Sequence, residues 1–240
     1  AGLDLSHDDG LIATGQGPEN DQPGPGNTAN LPTGGGTRLM WIPAKAAFRV
    51  GTVGGGAWNP ENIGNYSFGA GYNATASGEL SMAFGGNITA SGPGSMVFGG
   101  NATASGPGSM AFGQNLQALG GASMVFGQTN IALGSLSFAI GSGNTASGDY
   151  STAMGTHTDT NGKAGSFAVG DNSTGNLLLS SADHEFSARF AGGYRFFSNS
   201  ATSQGLFLTP ANRLRLGSSA TAARAGLDLS HDDGLVATGT

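Results

Sequence analysis

Bulky apolar, small and polar positions recur with a period of fourteen residues between residues 65 and 172. Each copy carries a serine, and a glycine follows it four residues later. A unit this short cannot bury its own apolar surface, so successive units must stack on one another. The period therefore predicts a β-solenoid, and its serines are Ser67, Ser81, Ser95, Ser109, Ser123, Ser137, Ser151 and, after fifteen residues, Ser166.

One unit, which begins at Ser81, reads SMAFGGNITASGPG. Its fifth and twelfth residues are glycines, which give the backbone freedom at two corners and predict strand, corner, strand, corner. Neighbours on a strand face opposite sides, so the serine and alanine of the first strand face away from Met82 and Phe84. A coil of fourteen residues is thin, and we therefore predict the small columns inside it and the bulky columns outside.

The two bulky columns carry fourteen large apolar side chains. That stripe exceeds the apolar patches usual on soluble monomers, and identical chains would bury it by meeting around a common axis. The alternative interpretation places these columns inside a wider monomeric β-helix, which needs about eighteen or more residues per turn. The columns are Phe68, Met82, Met96, Met110, Met124, Phe138 and Phe167, and Phe84, Phe98, Phe112, Phe126, Ile140, Met154 and Val169.

The pattern Ser-x-Ala-x-Gly-x-x-x-x-Ala-x-Gly resembles the head repeat of the trimeric autotransporter adhesins, the YadA-like head. The resemblance implies a left-handed parallel β-roll with three chains around one axis. It also implies that the apolar residues flanking the alanine, here Met82 and Phe84, face that axis. The predicted fold is thus all-β: a trimeric left-handed parallel β-roll of 14-residue coils flanked by short β-rich connector modules, with the fourteen column residues as the trimer interface.

The flanks of the repeat have a different composition and predict further parts. The expected N-terminal strands are 37–43 and 46–53, with Trp41 and Phe48 as core anchors. The expected C-terminal strands are 185–190, 194–198, 205–209 and 213–216. The predicted parts are a connector with a Gly/Pro-rich loop at 1–57, eight roll repeats at 58–175, a β-rich cap at 176–224 and the start of a next unit at 225–240.

A longer repeat joins the two ends of the chain. Residues 1–15 read AGLDLSHDDGLIATG, and residues 225–239 repeat them with Val236 in place of Ile12. A window slightly longer than one period of a tandem array has this appearance, so we predict end-to-end units in a longer fibre. A boundary motif copied once is the alternative interpretation.

Composition favours an extracellular structural protein over a cytosolic enzyme. Glycine makes up 45 of 240 residues, charged residues make up 10%, and cysteine is absent. The net charge of −6 argues against nucleic acid and anionic membranes as partners. No signal peptide opens the chain and no run of 18 apolar residues occurs in it, which favours a mature fragment or excised module without a membrane segment.

Candidate chemical sites are weak. Clustered carboxylates offer oxygen ligands to hard cations, although a solvated polar turn is the stronger interpretation for each cluster. Gly54 to Gly56 lacks the Lys and Ser/Thr of a phosphate loop, and LPTGG at 31–35 lies mid-chain without the spacing of a sortase signal. We predict no catalytic, cofactor-binding or metal residue. The clusters are Asp4, His7, Asp8 and Asp9, their copies Asp228, His231, Asp232 and Asp233, and Asp183, His184 and Glu185.

The outer strand carries two further patterns. A flat hydroxyl array, which suggests ice or glycan binding, is formed by Thr75, Thr89, Thr103, Ser77, Ser91 and Ser105. It is interrupted at Gln117, Leu119, Ile131 and Leu133, where a partner contact and a lateral packing face are both open interpretations. A hydrogen-bonded corner ladder is expected of Asn73, Asn87, Asn101 and Asn115.

Together these features predict a structural, non-enzymatic subunit of an extracellular trimeric fibre or adhesin at the cell surface. It would span distance and adhere to a host or matrix protein or a glycan. The alternative is the shaft of a phage or virus-like tail fibre, which can carry a glycan-cleaving site. The absence of a plausible paired-carboxylate cleft favours the first.

Overall fold

The structure, a computed structural model, describes residues 31–198, 200–201, 204–208 and 214–218. The chain divides into two compact units, Ala1–Ala188 and Arg189–Thr240. The repeated end segments, residues 1–15 and 225–239, lie outside the described residues, so their tandem arrangement stays a prediction.

The described part of the first unit is almost entirely β-structure. Its only helical elements are short 3-10 helices at Pro43–Lys45, Gly56–Trp58 and Pro60–Asn62. Seventeen strands form one hydrogen-bonded sheet. They are β1 (Gly36–Ile42), β2 (Ala47–Val53), β3 (Phe68–Ala76), β4 (Met82–Ala90), β5 (Met96–Gly100), β6 (Thr103–Ala104), β7 (Met110–Gln114), β8 (Gln117–Ala118), β9 (Met124–Gln128), β10 (Ile131–Ala132), β11 (Phe138–Ser142), β12 (Thr145–Ala146), β13 (Thr152–Thr156), β14 (Thr158–Asp159), β15 (Phe167–Gly170), β16 (Leu178–Leu179) and β17 (Phe186–Arg189).

Successive coils pair in parallel at an offset of fourteen residues. In the first strand of the coil Phe84 aligns with Phe98, and in the second strand Thr89 aligns with Thr103. The backbone N–H of Met82 donates to the carbonyl of Ser95, 2.9 Å away, and thereby joins one coil to the next. The predicted all-β parallel solenoid with 14-residue coils is confirmed.

The interior holds the small columns, as strand alternation predicted. Ala83, Val97 and Ala111 have no exposed surface, and the serines of the repeat are buried with them. The hydroxyls of Ser67, Ser81 and Ser151 each donate to the carbonyl three residues earlier at 2.6 Å. The buried hydroxyls of the other coils, at Ser95, Ser109, Ser123 and Ser137, have no hydrogen-bond partner within the described residues. The thin core of the roll is built mainly of alanine, valine and serine, together with Ile88 and Leu116.

The two glycines of each coil permit close approach of neighbouring coils. Gly85 has φ +142°, and a Cβ placed on it would lie 1.9 Å from the carbonyl oxygen of Gly99. A Cβ on Gly92 would lie 2.2 Å from the carbonyl oxygen of Gly106. Neither corner has room for any side chain.

The asparagine column occupies a left-handed backbone position. Asn87 and Asn101 have φ +52° and +50°, a region that Asn tolerates better than most residues. The Asn73 amide donates to the Asn87 side-chain oxygen at 3.0 Å, which forms one rung of the predicted ladder. The left-handed backbone conformation thus explains why asparagine recurs in this column, and the hydrogen bond between the side chains stabilises it further.

A second asparagine ladder lies inside the roll, where earlier coils carry apolar residues. The Asn130 amide donates to the Phe126 and Gly141 carbonyls, each at 2.7 Å. Its oxygen accepts the N–H of Asn144 at 2.8 Å, and the Asn144 oxygen accepts the Thr158 hydroxyl at 2.8 Å. All of these groups are satisfied, so the polar core stays compatible with burial.

The stack of strands extends beyond the repeats at both ends. At the N-terminal end β2 pairs in parallel with β3, and Phe48 aligns with Phe68. At the C-terminal end β16 pairs with β14, and β17 pairs with β15. The strand expected at 185–190 is therefore hydrogen-bonded to the last repeat.

The described part of the second unit is a three-stranded antiparallel sheet. Its strands are β18 (Tyr194–Phe197), β19 (Gln204–Leu208) and β20 (Leu214–Ser218), close to the positions predicted. Tyr194 lies opposite Leu208, and Phe196 lies opposite Leu206. In the backbone register Leu206 pairs with Leu216, and Leu208 pairs with Leu214.

Candidate assembly surface

The fourteen residues of the two bulky columns lie on the outside of the roll. Phe84 is 53% exposed, and Met124 and Phe167 are 38% and 37% exposed, while the other eleven are half-buried. The alanines and valines between them are buried, as alternation requires. The columns therefore do not form the core of a wider monomeric helix.

Stacking within the columns accounts for the half-buried side chains. The rings of Phe98 and Phe112 lie 5.1 Å apart and nearly parallel, and those of Phe112 and Phe126 lie 5.2 Å apart. Phe84 continues the row at 5.9 Å from Phe98. Each ring covers its neighbour in the next coil, and the outer side of the row has no covering layer within the described part of the chain.

Charge is absent from this surface. Between Trp58 and Gly148 the only charged residues are Glu61 and Glu79, and neither belongs to the columns. Without charges to desolvate, the driving force for covering the surface is the removal of apolar area from water.

A buried arginine closes the N-terminal end of the roll. Arg49 occupies the inward position that Gly69 and Ala83 fill in the next two coils. Its guanidinium donates to the Phe48 carbonyl at 2.7 Å and to the Ser67 carbonyl at 3.0 Å. It also donates to the Ser67 hydroxyl at 2.7 Å and to the Ala76 carbonyl at 2.8 Å.

Burial lowers the pKa of Arg49 to about 10, which still leaves the guanidinium charged at neutral pH. The fourteen-residue pattern did not indicate a role for Arg49. The available signal was the alignment of AFRVG at 47–51 with SFGAG at 67–71, which places the arginine inside the coil.

We expect Arg49→Ala to lower the free energy of unfolding by about 3 kcal/mol, because it leaves buried carbonyl and hydroxyl acceptors without a donor. Urea unfolding followed by circular dichroism measures the change. Glu79→Ala, at an exposed corner, is the matched surface control and should stay within about 0.5 kcal/mol of wild type. Equal midpoints for the two variants would contradict this role of Arg49.

The anchor of the N-terminal core is Trp58 instead of Trp41. Trp58 is fully buried, and its indole N–H donates to the Ala74 carbonyl at 2.8 Å. Trp41 is 45% exposed and Phe48 is half-buried in line with the outer columns, so their prediction as core anchors is wrong. Trp41 and Phe48 lie on the outward face of their strands, because their sequence neighbours Met40, Ile42 and Ala47 point inward.

The acidic residues near the end of the roll accept hydrogen bonds from backbone N–H groups of turns. Asp183 accepts the N–H of Ala164 at 2.9 Å, and Glu185 accepts the N–H groups of Ser181 and Ala182. These backbone bonds hold the pKa of Glu185 below its usual value. No group of three or more His, Cys, Asp or Glu side chains lies together as metal ligands in the described residues.

The remaining cation candidates of the two end segments lie outside the described residues. They are Asp4, His7, Asp8, Asp9, Asp228, His231, Asp232 and Asp233.

The hydroxyl array on the outer strand is interrupted in the middle of the roll. The register places Gln117 and Ile131 in the column of Thr103. Leu119 and Leu133 are 37% and 46% exposed. For two coils the outer face therefore carries Gln117 and Leu119, then Ile131 and Leu133, in place of hydroxyl residues, and the column returns to threonine at Thr145.

These observations define a class of protein: a repetitive β-roll that carries a continuous apolar surface and that serves as a structural element. A family model described as the YadA head domain repeat, in two copies, matches residues 63–87, 90–115 and 132–158. Three segments within residues 63–158 thus match the YadA head repeat, which is consistent with a YadA-like head of a trimeric autotransporter adhesin. The unmatched residues between 115 and 132 include the interruption of the hydroxyl array.

The match lies within the repeat region of the chain. YadA-family heads form homotrimers and are surface-exposed parts of adhesins, and both family and fold are structural in character. No curated protein matches the chain. Among the described residues, no helix is long and apolar enough to span a membrane.

Proposed function

We propose that the chain is a structural subunit of an extracellular homotrimeric fibre or adhesin, with the two bulky columns facing a common three-fold axis. The observation that carries this proposal is the uncharged surface of fourteen outward apolar side chains along the roll, interrupted in one column at Thr152. Its place would be the cell surface, where it holds other parts of a longer protein at a distance.

The energetics support association. Complete burial of a fully exposed large apolar side chain contributes about 1.5 to 3 kcal/mol. Because most of the fourteen side chains are already half-buried in one chain, covering what remains contributes on the order of 10 kcal/mol per chain, or roughly 30 kcal/mol per trimer. The loss of translational and rotational freedom costs roughly 4 to 15 kcal/mol for each association step. Apolar burial is therefore large enough to support a stable assembly.

Solution mass tests the assembly. With 23.7 kDa per chain, we expect a single species of three times that mass in sedimentation equilibrium at micromolar concentration. A monodisperse monomer would overturn the proposed orientation of the columns.

Adhesion is the second part of the proposal and concerns the outer face. That face carries the hydroxyl array and the exposed Leu119 and Leu133, which suit a matrix protein or a glycan as ligand. Beads coated with the chain should bind immobilised matrix proteins or glycans more than beads coated with a Leu119→Ser, Leu133→Ser variant. Equal binding by both would remove this face from the adhesive role.

The shaft of a phage or virus-like tail fibre is the alternative function, because a stack that lengthens by one coil per repeat suits a shaft equally well. The genes beside this one discriminate the two functions. A membrane anchor for secretion supports the adhesin, and baseplate genes support the tail fibre. In either setting we propose that residues 225–240 begin a further unit, joined end to end.

A further inference from the structure

The N-terminal hairpin carries two large apolar side chains that the described part of its own chain leaves uncovered. Leu39 is 64% exposed and Trp41 is 45% exposed, although the alternate residues Met40 and Ile42 are buried. Both exposed residues belong to β1, which pairs antiparallel with β2. The direction in which they point decides what can cover them.

The register of the hairpin settles that direction. Trp41 lies directly opposite Phe48, and Leu39 lies directly opposite Val50. Directly opposite residues of an antiparallel pair project from the same face of the sheet. Trp41 and Leu39 therefore lie on the face that carries Phe48 and Val50.

That face is continuous with the bulky columns. The Phe48 ring stacks on the Phe68 ring, with centroids 5.6 Å apart and planes 14° apart. Val50 aligns with Ala70, and Ala70 aligns with Phe84. The hairpin thus widens the apolar surface at the first coil of the roll.

The hairpin face has no unsatisfied hydroxyl, and its strand is held in place. The Thr37 and Thr52 hydroxyls, the polar groups of this face, bond each other at 2.9 Å. Behind the face, Arg38 donates to the carbonyls of four consecutive residues, 32–35, at 2.8 to 3.0 Å. A satisfied and fixed surface loses little freedom when a partner covers it.

We propose that Trp41 and Leu39 contact two further copies of this chain and close the apolar axis at its N-terminal end. The occupant is the same chain because the face continues the columns without a break and carries no charge that would recognise another partner. This inference rests on the proposed homotrimer. It extends the proposed trimer interface to Trp41 and to strand β1, both of which lie outside the repeats.

Tryptophan fluorescence of the full chain tests the contact. The chain has two tryptophans, and Trp58 is already buried within its own chain. The Trp41→Phe variant reports Trp58 alone, and its difference from wild type isolates Trp41. In the assembled protein we expect acrylamide to quench Trp41 as weakly as Trp58, and in the urea-unfolded chain we expect it to quench both strongly.

A charge substitution provides a second measurement. Trp41→Lys should raise the concentration at which half of the assembly has dissociated by at least about tenfold, as expected for a tryptophan buried in an interface. Leu133→Lys is the matched control, since Leu133 is 46% exposed but lies on the outer strand. That control should leave the midpoint unchanged.

The outcomes separate this inference from the proposal on which it rests. A wild-type trimer with shielded Trp41 and a weakened Trp41→Lys variant supports it. A wild-type trimer in which Trp41 is as accessible as in the unfolded chain overturns the hairpin contact and leaves the homotrimer standing. A wild-type monomer overturns both.

Discussion

A chain carrying Phe98→Asp is expected to remain monomeric at concentrations where the wild-type chain is trimeric. Phe98 lies in the middle of the aromatic row, 5.9 Å from Phe84 and 5.1 Å from Phe112. Its replacement would place three carboxylates around one axis, without partners. An unpaired buried charge costs roughly 3 to 5 kcal/mol, and each of the three chains would contribute one.

The coil itself should survive this substitution, because Phe98 points outward while its neighbour Val97 fills the interior. We therefore expect the variant to keep its β-type circular dichroism while sedimentation reports one third of the wild-type mass. Ser105→Asp adds the same charge on the exposed outer strand and should leave the trimer intact. Assembly of Phe98→Asp with an unchanged melting temperature would show that the columns face elsewhere.

Gly85→Ala is expected to unfold or severely destabilise the roll. The added Cβ would lie 1.9 Å from the Gly99 carbonyl oxygen, and the backbone there has φ +142°, which an L-residue with a side chain rarely adopts. Relief requires separation of two coils and loss of their hydrogen bonds. We expect a loss of about 4 kcal/mol or more, in the range of the most damaging single substitutions.

The adjacent residue offers a matched control. Gly86 has no atom within 4 Å of the position of a Cβ, and its φ lies outside the left-handed region. Gly86→Ala should therefore be neutral or stabilise by up to about 1 kcal/mol, through the reduced freedom of the unfolded chain. Thermal unfolding of both variants checks the pair, and similar melting temperatures would refute the close-approach argument.

Repetition explains why the roll was predictable from the sequence. In one coil the alternation of Ala83 with Met82 and Phe84 has several interpretations, but the same alternation in successive coils fixes the strands and their faces. The glycine corners followed for the same reason, since only a steric requirement keeps glycine at the same position in every copy. The surface formed by the two bulky columns could be predicted as well, because alternation along the strand places these residues on the outer side.

Features that occur once were harder to predict from the pattern. Trp58 belongs to no period and bonds a carbonyl 16 positions away, and the inward direction of Arg49 was indicated only by the single alignment of AFRVG with SFGAG. Strand β17 continues the stack although Phe186 follows Phe167 by nineteen positions, an interval that departs from the fourteen-residue period. Trp41 was predicted as a core anchor, but its direction depends on the register of a hairpin that occurs once.

The inner asparagine ladder illustrates a further limit. Asn130 and Asn144 stand at positions where the preceding coils carry Leu116 and Ala102, so their inward direction was available from the register alone. Their stability in the core depends on carbonyls of two adjacent coils, which only the folded arrangement brings within 2.7 Å.

Because the offset between coils is always fourteen residues, the length of the roll can change during evolution only in steps of one coil. A duplication or deletion of fourteen codons would change the reach of the protein by one strand spacing, about 4.8 Å, while every remaining contact between coils is repeated unchanged. If two chains with different numbers of coils were aligned at one end, the longer chain would have coils without a counterpart at the other end. Length variants within a population would therefore assemble with their own kind and remain distinct.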